Sequence, residues 1–157
     1  MTGYGFALSP IWSSWLSNKQ VPCRLVLTKE HVIPKSVLPS SITSKPHNVI
    51  GFPMRLNSRR SNNKYVESDK PGLLIWPCKE CRNPGCPLIG RITTDGFVPP
   101  TLYKPVIGAS ILKSLYENQD IIHDVHYRVL DLGTALRWTN ELFEDLPDEI
   151  KNEFRVN

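Results

Sequence analysis

Beyond residue 100, apolar side chains recur every three or four positions, which is the spacing of helices that bury one face. The pattern predicts one helix over residues 105–118 and a second over residues 125–143. A third helix is expected to begin at Pro147, because acidic residues follow in its first turn, where the helix dipole favours them. The last third of the chain is therefore predicted to be helical.

The preceding residues show a different pattern. Short β-prone runs occur at residues 23–33, 73–76 and 90–94, and loops rich in proline and serine separate them. A short helix is predicted over residues 54–62, since Pro53 suits the start of a helix. Proline makes up 14 of the 157 residues, or about 9%, compared with a usual ~5%. This density argues against a simple helical bundle. We therefore predict an α+β fold.

The length fits one domain over residues 1–157, at about 100–200 residues per domain. Within it we distinguish a strand–loop–strand–helix segment at 28–65, a cysteine loop with flanking strands at 73–100 and a helical part at 105–157. The aromatic N-terminal segment, residues 1–20, is expected to pack on the core.

The net charge of +4 conceals an uneven distribution. Residues 31–66 contain six basic and no acidic residues, whereas residues 141–157 carry a net charge of −4. A block of this kind is either a solvated loop or a surface that binds phosphate. From the block we select Arg55, Arg59 and Lys64 as candidate nucleic-acid-binding residues.

No apolar run approaches the ~18–20 residues that a membrane-spanning helix needs, so we expect no membrane association. The first residues lack a basic cluster ahead of an apolar core, which is the mark of a secretory signal. We therefore expect an intracellular protein, with a phage or virus as one source.

The cysteines suggest a metal site. Cys78, Cys81 and Cys86 lie in one loop, and Cys-x2-Cys spacing lets two thiolates reach one tetrahedral ion. Cys23 could supply the fourth ligand of a structural zinc ion, which would tie the first strand to this loop. Free thiols and disulfides are the alternatives, and without a signal peptide disulfides are disfavoured.

A second cluster has the composition of a hydrolytic site. Glu30 and His31 lie near the end of the first strand, where alternation turns one of them inward unless the strand ends there. Asn57 and Arg60 are three residues apart, so one helix face can present both. Asn48 is expected to hold the returning loop. A hard cation such as Mg²⁺ takes oxygen ligands and keeps several waters, so two protein ligands suffice.

These residues resemble the endonuclease I family of ββα-metal (His-Me finger) nucleases. The matching motifs are Glu30-His31-Val-Ile-Pro34-Lys-Ser36, His47-Asn48, and Asn57-Ser-Arg-Arg60-Ser61-Asn62 followed by the aromatic Tyr65. The nine-residue interval from Asn48 to Asn57 also matches, and weaker similarity extends the resemblance over residues 28–138. The resemblance implies that residues 28–65 form the ββα-metal motif.

The resemblance implies a metal-dependent endonuclease that cuts DNA or RNA without sequence preference. His31 would be the general base, and Glu30 and Asn57 would hold Mg²⁺ or another divalent ion. Arg60, with Arg59 as the alternative, would stabilise the charge that develops on the phosphate. The cationic block and the motif would then be one surface.

Two other functions stay open. One is a nucleic-acid-binding or virion structural protein on the same fold without catalysis, which Lys45 favours because the family commonly has an acid there. The other is an HNH-type site-specific nuclease containing zinc.

Overall fold

The computed structural model describes residues 10–120 and 128–155, and these form a mixed α+β structure, as predicted. The strands are β1 (Leu27–His31), β2 (Val49–Pro53), β3 (Leu73–Ile75), β4 (Gly90–Ile92) and β5 (Phe97–Val98). The helices are α1 (Pro10–Ser17), α2 (Ser40–Thr43), α3 (Met54–Arg60), α4 (Lys104–Glu117), α5 (Leu132–Leu142) and α6 (Asp148–Phe154). Short 3₁₀ turns occur at Pro46–Asn48, Thr101–Tyr103 and Phe143–Asp145.

β1 and β2 form an antiparallel pair that positions the candidate site. Glu30 lies opposite Ile50, and His31 lies opposite Val49. α3 begins directly after β2 and contacts both strands. It ends at Arg60, because Ser61 adopts a positive φ of 49° that breaks the helical backbone.

The loop between β1 and β2 is held by Asn48, as expected. This fully buried amide accepts from the backbone N–H of Ile33 at 2.8 Å. Its Nδ2 donates to the carbonyls of Ile33 at 3.1 Å and Thr43 at 2.9 Å. A buried amide with all these bonds made fixes the loop, together with the buried Val32, Ile33 and Ile42.

β3, β4 and β5 form a second antiparallel sheet in that order. Aromatic rings join it to the first sheet: Phe52 of β2 packs edge-on against Tyr65 and Phe97, with ring centroids 6.5 and 6.3 Å apart. The turn before β5 requires Gly96, since its φ is 147° and a Cβ would lie 2.3 Å from the Lys64 carbonyl oxygen.

The helices cover the remaining core. α4 agrees with the predicted helix at 105–118 and packs closely on α5, where a Cβ on Gly108 would lie 2.5 Å from the Ala135 carbonyl oxygen. α6 confirms the helix predicted after Pro147. In the N-terminal segment, Trp12 and Leu16 of α1 are fully buried, which confirms packing on the core for residues 10–20, while residues 1–9 of the prediction lie outside the described residues.

The single helix predicted over residues 125–143 is wrong in its described part. Asp131 accepts from the backbone N–H of Thr134 and so caps a helix that begins only at Leu132. Val129 and Leu130 lie before that helix and are buried in the core. Their apolar character therefore reflects burial and not membership of the helix. Residues 125–127 of the prediction lie outside the described residues.

The β-prone runs form shorter strands than predicted, with β1 spanning only the middle of residues 23–33. The stretch at 34–46, predicted as loop, contains the one-turn helix α2. Among the described helices, none combines the length and apolar character needed to cross a bilayer.

Candidate functional site

The end of β1 separates two adjacent ionisable residues onto opposite sides. Glu30 turns inward and is only 5% exposed, whereas His31 is half-buried and reaches the surface. The alternation of side chains along a strand explains the difference. The structure thus decides which member of the pair faces the core.

The Glu30 carboxylate is held by two side chains from the following segment. Its Oε2 accepts from the Tyr65 hydroxyl at 2.7 Å and from Arg60 Nη1 at 3.1 Å. Burial raises the pKa of Glu30, while the Arg60 charge and both hydrogen bonds act to lower it. Both side-chain bonds fall on Oε2, and the backbone N–H of His31 also acts to lower the pKa of the carboxylate.

Arg60 is an interior residue, with 1% of its surface exposed. Besides Glu30, its guanidinium donates to the carbonyls of His31 and Val32, each at 3.0 Å, and its Nε donates to the carbonyl of Asn63 at 2.8 Å. The guanidinium also stacks 4.0 Å from the centre of the Tyr65 ring. This corrects the expectation that Arg60 stabilises a phosphate, because it faces β1 and not solvent.

His31 has the character of a neutral imidazole. Burial lowers its pKa, and the nearby charges of Lys35 and Lys29 lower it further. No described residue forms a hydrogen bond with the ring. A half-exposed imidazole of this kind is available to accept a proton near neutral pH.

Asn57 of α3 reaches across to β1. Its Nδ2 donates to the Thr28 hydroxyl and to the Lys29 carbonyl, both at 2.9 Å. This orientation leaves Oδ1 outside both hydrogen bonds. Thr28 and Glu30 are two residues apart on one face of β1, so the Asn57 amide and the Glu30 carboxylate approach the same face. An amide oxygen and a carboxylate oxygen fit a hard cation such as Mg²⁺.

The predicted nucleic-acid-binding residues divide between two places. Arg55 and Arg59 line a groove on the side of α3 that faces away from the core. Lys64 follows α3 and is half-buried, and its carbonyl accepts from the backbone N–H of Phe97. The structure therefore does not bring all three together.

Three cysteines form a second candidate site, which could hold a metal ion such as zinc. The Sγ atoms of Cys23, Cys81 and Cys86 all lie within 4.8 Å of one another. Cys23 and Cys86 are separated by 3.7 Å, close to the ~3.8 Å between two sulfurs on a tetrahedral ion with bonds of ~2.3 Å. All four cysteines are free thiols, so the disulfide alternative is not realised. Cys78 lies outside the group of three but lines the same 270 Å³ cavity as Cys23 and Cys81.

Backbone N–H groups point at the sulfurs of the cysteine loop. Cys78 accepts from the N–H of Cys81 at 3.0 Å, and Cys86 accepts from the N–H of Leu88 at 3.5 Å. At Cys81, burial acts to raise the pKa, but the N–H of Asn83 and the neighbouring thiols bring it below its ordinary value. Donors of this kind stabilise thiolates, the form that binds metal. Burial raises the pKa of Cys23 and of Cys86, so without a metal ion their thiol forms are favoured.

No protein-family model, curated protein or solved structure matches this chain. The chemistry of the site is therefore inferred from its geometry alone. That geometry adds two residues to the predicted set: Tyr65 binds Glu30, and Thr28 orients Asn57. A buried tyrosine needs a partner for its hydroxyl, and this requirement is the signal that could have identified Tyr65.

Replacing Arg60 should destabilise the protein through the Glu30 carboxylate that it leaves behind. We expect Arg60→Met to lower the free energy of unfolding by about 3–5 kcal/mol, because a buried charge loses its partner. The exposed neighbour Arg59 provides the control, and Arg59→Met should change stability by less than about 0.5 kcal/mol. Urea unfolding measures both variants. Equal stability of the two would show that the pair does not hold this site together.

Proposed function

We propose that the chain is a metal-dependent endonuclease that hydrolyses phosphodiester bonds in DNA or RNA. One observation carries the proposal: at the end of β1, a half-exposed imidazole with no hydrogen-bond partner among the described residues follows directly on a carboxylate, and an amide side chain from α3 reaches the same strand. The order of β1, β2 and α3 supports the finer fold assignment to a ββα-metal core. The cationic segment around these elements supports a polyanionic substrate.

His31 would act as the general base. Its lowered pKa keeps the ring neutral, so it can take a proton from the attacking water. Its ring is exposed to the solvent that supplies that water. Lys35, exposed and four residues along, favours the neutral form through its charge.

Asn57 and Glu30 would hold Mg²⁺ through Oδ1 and Oε1. When bound, the ion supplies charge for the scissile phosphate and the leaving oxygen. Thr28 and the Lys29 carbonyl fix the Asn57 amide so that its nitrogen faces β1. Arg60 and Tyr65 fix the Glu30 carboxylate, so we assign both as positioning residues in place of the phosphate-binding role first expected of Arg60.

We further propose that the cysteines hold a structural zinc ion, with Cys78 joining the three clustered sulfurs. Rotation of the Cys78 side chain within the shared cavity would complete a four-sulfur site. Such a site would link residue 23, just before β1, to the loop that precedes β4.

A nucleic-acid-binding protein without catalysis is the second proposal. It is favoured by the Glu30 bonds, because a carboxylate that is committed to Arg60 and Tyr65 stabilises the fold without any metal. The first proposal is favoured by the His31 ring, which has no hydrogen-bond partner in the described part of the chain and therefore no evident structural role.

Cleavage of plasmid DNA and of RNA with Mg²⁺ tests the first proposal. We expect His31→Ala to reduce the rate at least 100-fold, in line with the loss of a general base. Asn57→Ala should also reduce the rate strongly, because it removes a ligand of the ion. The exposed Asn152 of α6 provides a matched control, and Asn152→Ala should cut at the wild-type rate. Intact plasmid and RNA after incubation with the wild-type protein would support the binding protein instead.

The pH dependence of cleavage should report the His31 environment. Because the pKa of His31 is lowered, the active neutral form persists to lower pH, and the rate should reach half its plateau below the ordinary value of ~6.5. Lys35→Gln removes a positive charge, which raises the pKa of His31 and should move this midpoint to higher pH. An unchanged or lower midpoint in this variant would contradict the assignment of His31 as the base.

Metal analysis of the purified protein should find about one zinc ion per chain. Cys86→Ser should reduce the zinc content well below that and lower the melting temperature, because metal binding contributes to folding. The exposed Ser58 offers a control on another element, and Ser58→Ala should keep its zinc. The structural site would be refuted if the wild-type protein contained no zinc and its melting temperature equalled that of Cys86→Ser.

A further inference from the structure

A groove of about 540 Å³ runs between α3 and the cysteine loop. One wall is the outward face of α3, with Met54, Arg55, Ser58 and Arg59, and the other is the segment from Pro77 to Glu80. Arg24 and Val26, which precede β1, close the groove at one end. Three segments distant in sequence thus build one site.

The groove is strongly cationic. Arg24, Arg55, Arg59 and Lys79 line it, against the single acidic residue Glu80. Within the described part of the chain, none of the four cations forms an ion pair. The Arg55 Nε is enclosed and has no hydrogen-bond acceptor among the described residues. Cations grouped without counter-charges favour an anionic ligand.

The floor of the groove is apolar. Val26 is 44% exposed and Met54 is 50% exposed, although both are large hydrophobic residues. The backbone N–H of Met54 donates to the Val26 carbonyl at 2.8 Å, which joins the α3 wall to the segment that closes the groove. Inorganic phosphate would gain nothing from such a floor, whereas nucleotide sugars and bases would cover it.

The groove and the candidate site share two elements, β1 with the residues before it and α3. Val26 lies five residues before His31, about 16 Å along an extended strand. Asn57, the candidate cation ligand, lies on α3 beside the groove residues Met54 and Ser58. A chain of phosphates that passes the site would therefore extend into the groove.

We propose that this groove binds the polynucleotide backbone at a distance of several nucleotides from the cleaved bond. It would hold phosphates through Arg24, Arg55, Arg59 and Lys79, and sugars or bases on Val26 and Met54. Arg24 and Lys79 lie outside the cationic block of the sequence, and only folding adds them to it. The inference rests on the proposed function, from which the ligand class, a polynucleotide, is taken.

The test measures binding separately from cleavage. All proteins carry His31→Ala, and fluorescence anisotropy follows their binding to a labelled 20-nucleotide DNA, single-stranded and duplex, without Mg²⁺. The double variant Arg24→Ala/Lys79→Ala should weaken binding to at least one DNA form by roughly tenfold and reduce the salt-dependence slope by about two. Glu80→Gln should tighten binding, a gain that a damaged fold would not produce.

Arg82 is the matched control, since it is exposed in the same loop but does not line the groove. Arg82→Ala should change the dissociation constant less than twofold. The inference is overturned if the double variant binds both DNA forms like its parent, or if Arg82→Ala loses as much affinity. Cleavage is measured on the same variants with His31 intact: cleavage that persists when groove binding fails would leave the nuclease proposal intact, and groove binding without cleavage by the wild-type protein would refute the nuclease alone.

Discussion

The buried ion pair between Glu30 and Arg60 connects the end of β1 to the end of α3. Both side chains are almost fully enclosed, and the guanidinium also bonds to the carbonyls of His31 and Val32. Such a pair contributes to stability only if its remaining hydrogen bonds are made, and here Tyr65 and Asn63 complete them. The position of His31 depends on this arrangement, because the backbone that carries its ring is one of the acceptors.

The same strand organises the rest of the surface. On one side of β1, Asn57 is oriented by Thr28 and the Lys29 carbonyl. In the segment before β1, Arg24 lines the groove and Cys23 belongs to the cysteine cluster. Arg24, Cys78 and Glu80 line both the groove and the cysteine cavity. A metal ion on the cysteines would therefore fix one wall of the groove that we assign to nucleic acid.

The sequence predicts local structure well where one periodic pattern decides it. α4 follows from its apolar spacing, and α6 follows from Pro147 and the acids behind it. The start of α5 was misplaced, because the buried Val129 and Leu130 continue the apolar pattern ahead of the Asp131 cap. Local pattern alone does not distinguish a buried turn from a helix.

Side-chain direction limits what could be predicted of the site. The motif identified Glu30, His31, Asn57 and Arg60 as neighbours, but it assigned Arg60 to the substrate, and the fold buries it against β1. Strand alternation left open whether Glu30 or His31 turns inward, and packing decides this in favour of Glu30. The groove could not be predicted, since Arg24 and Lys79 approach α3 only through long-range folding.

The central claim is that a hard cation binds where α3 meets the end of β1. Manganese tests it directly, because Mn²⁺ occupies oxygen sites and broadens the NMR signals of nearby nuclei. The account predicts that low concentrations of Mn²⁺ broaden the ring signals of His31 and the side-chain amide of Asn57 before other signals, and that excess Mg²⁺ reverses this. Unchanged His31 and Asn57 signals, or broadening confined to other parts of the chain, would contradict it.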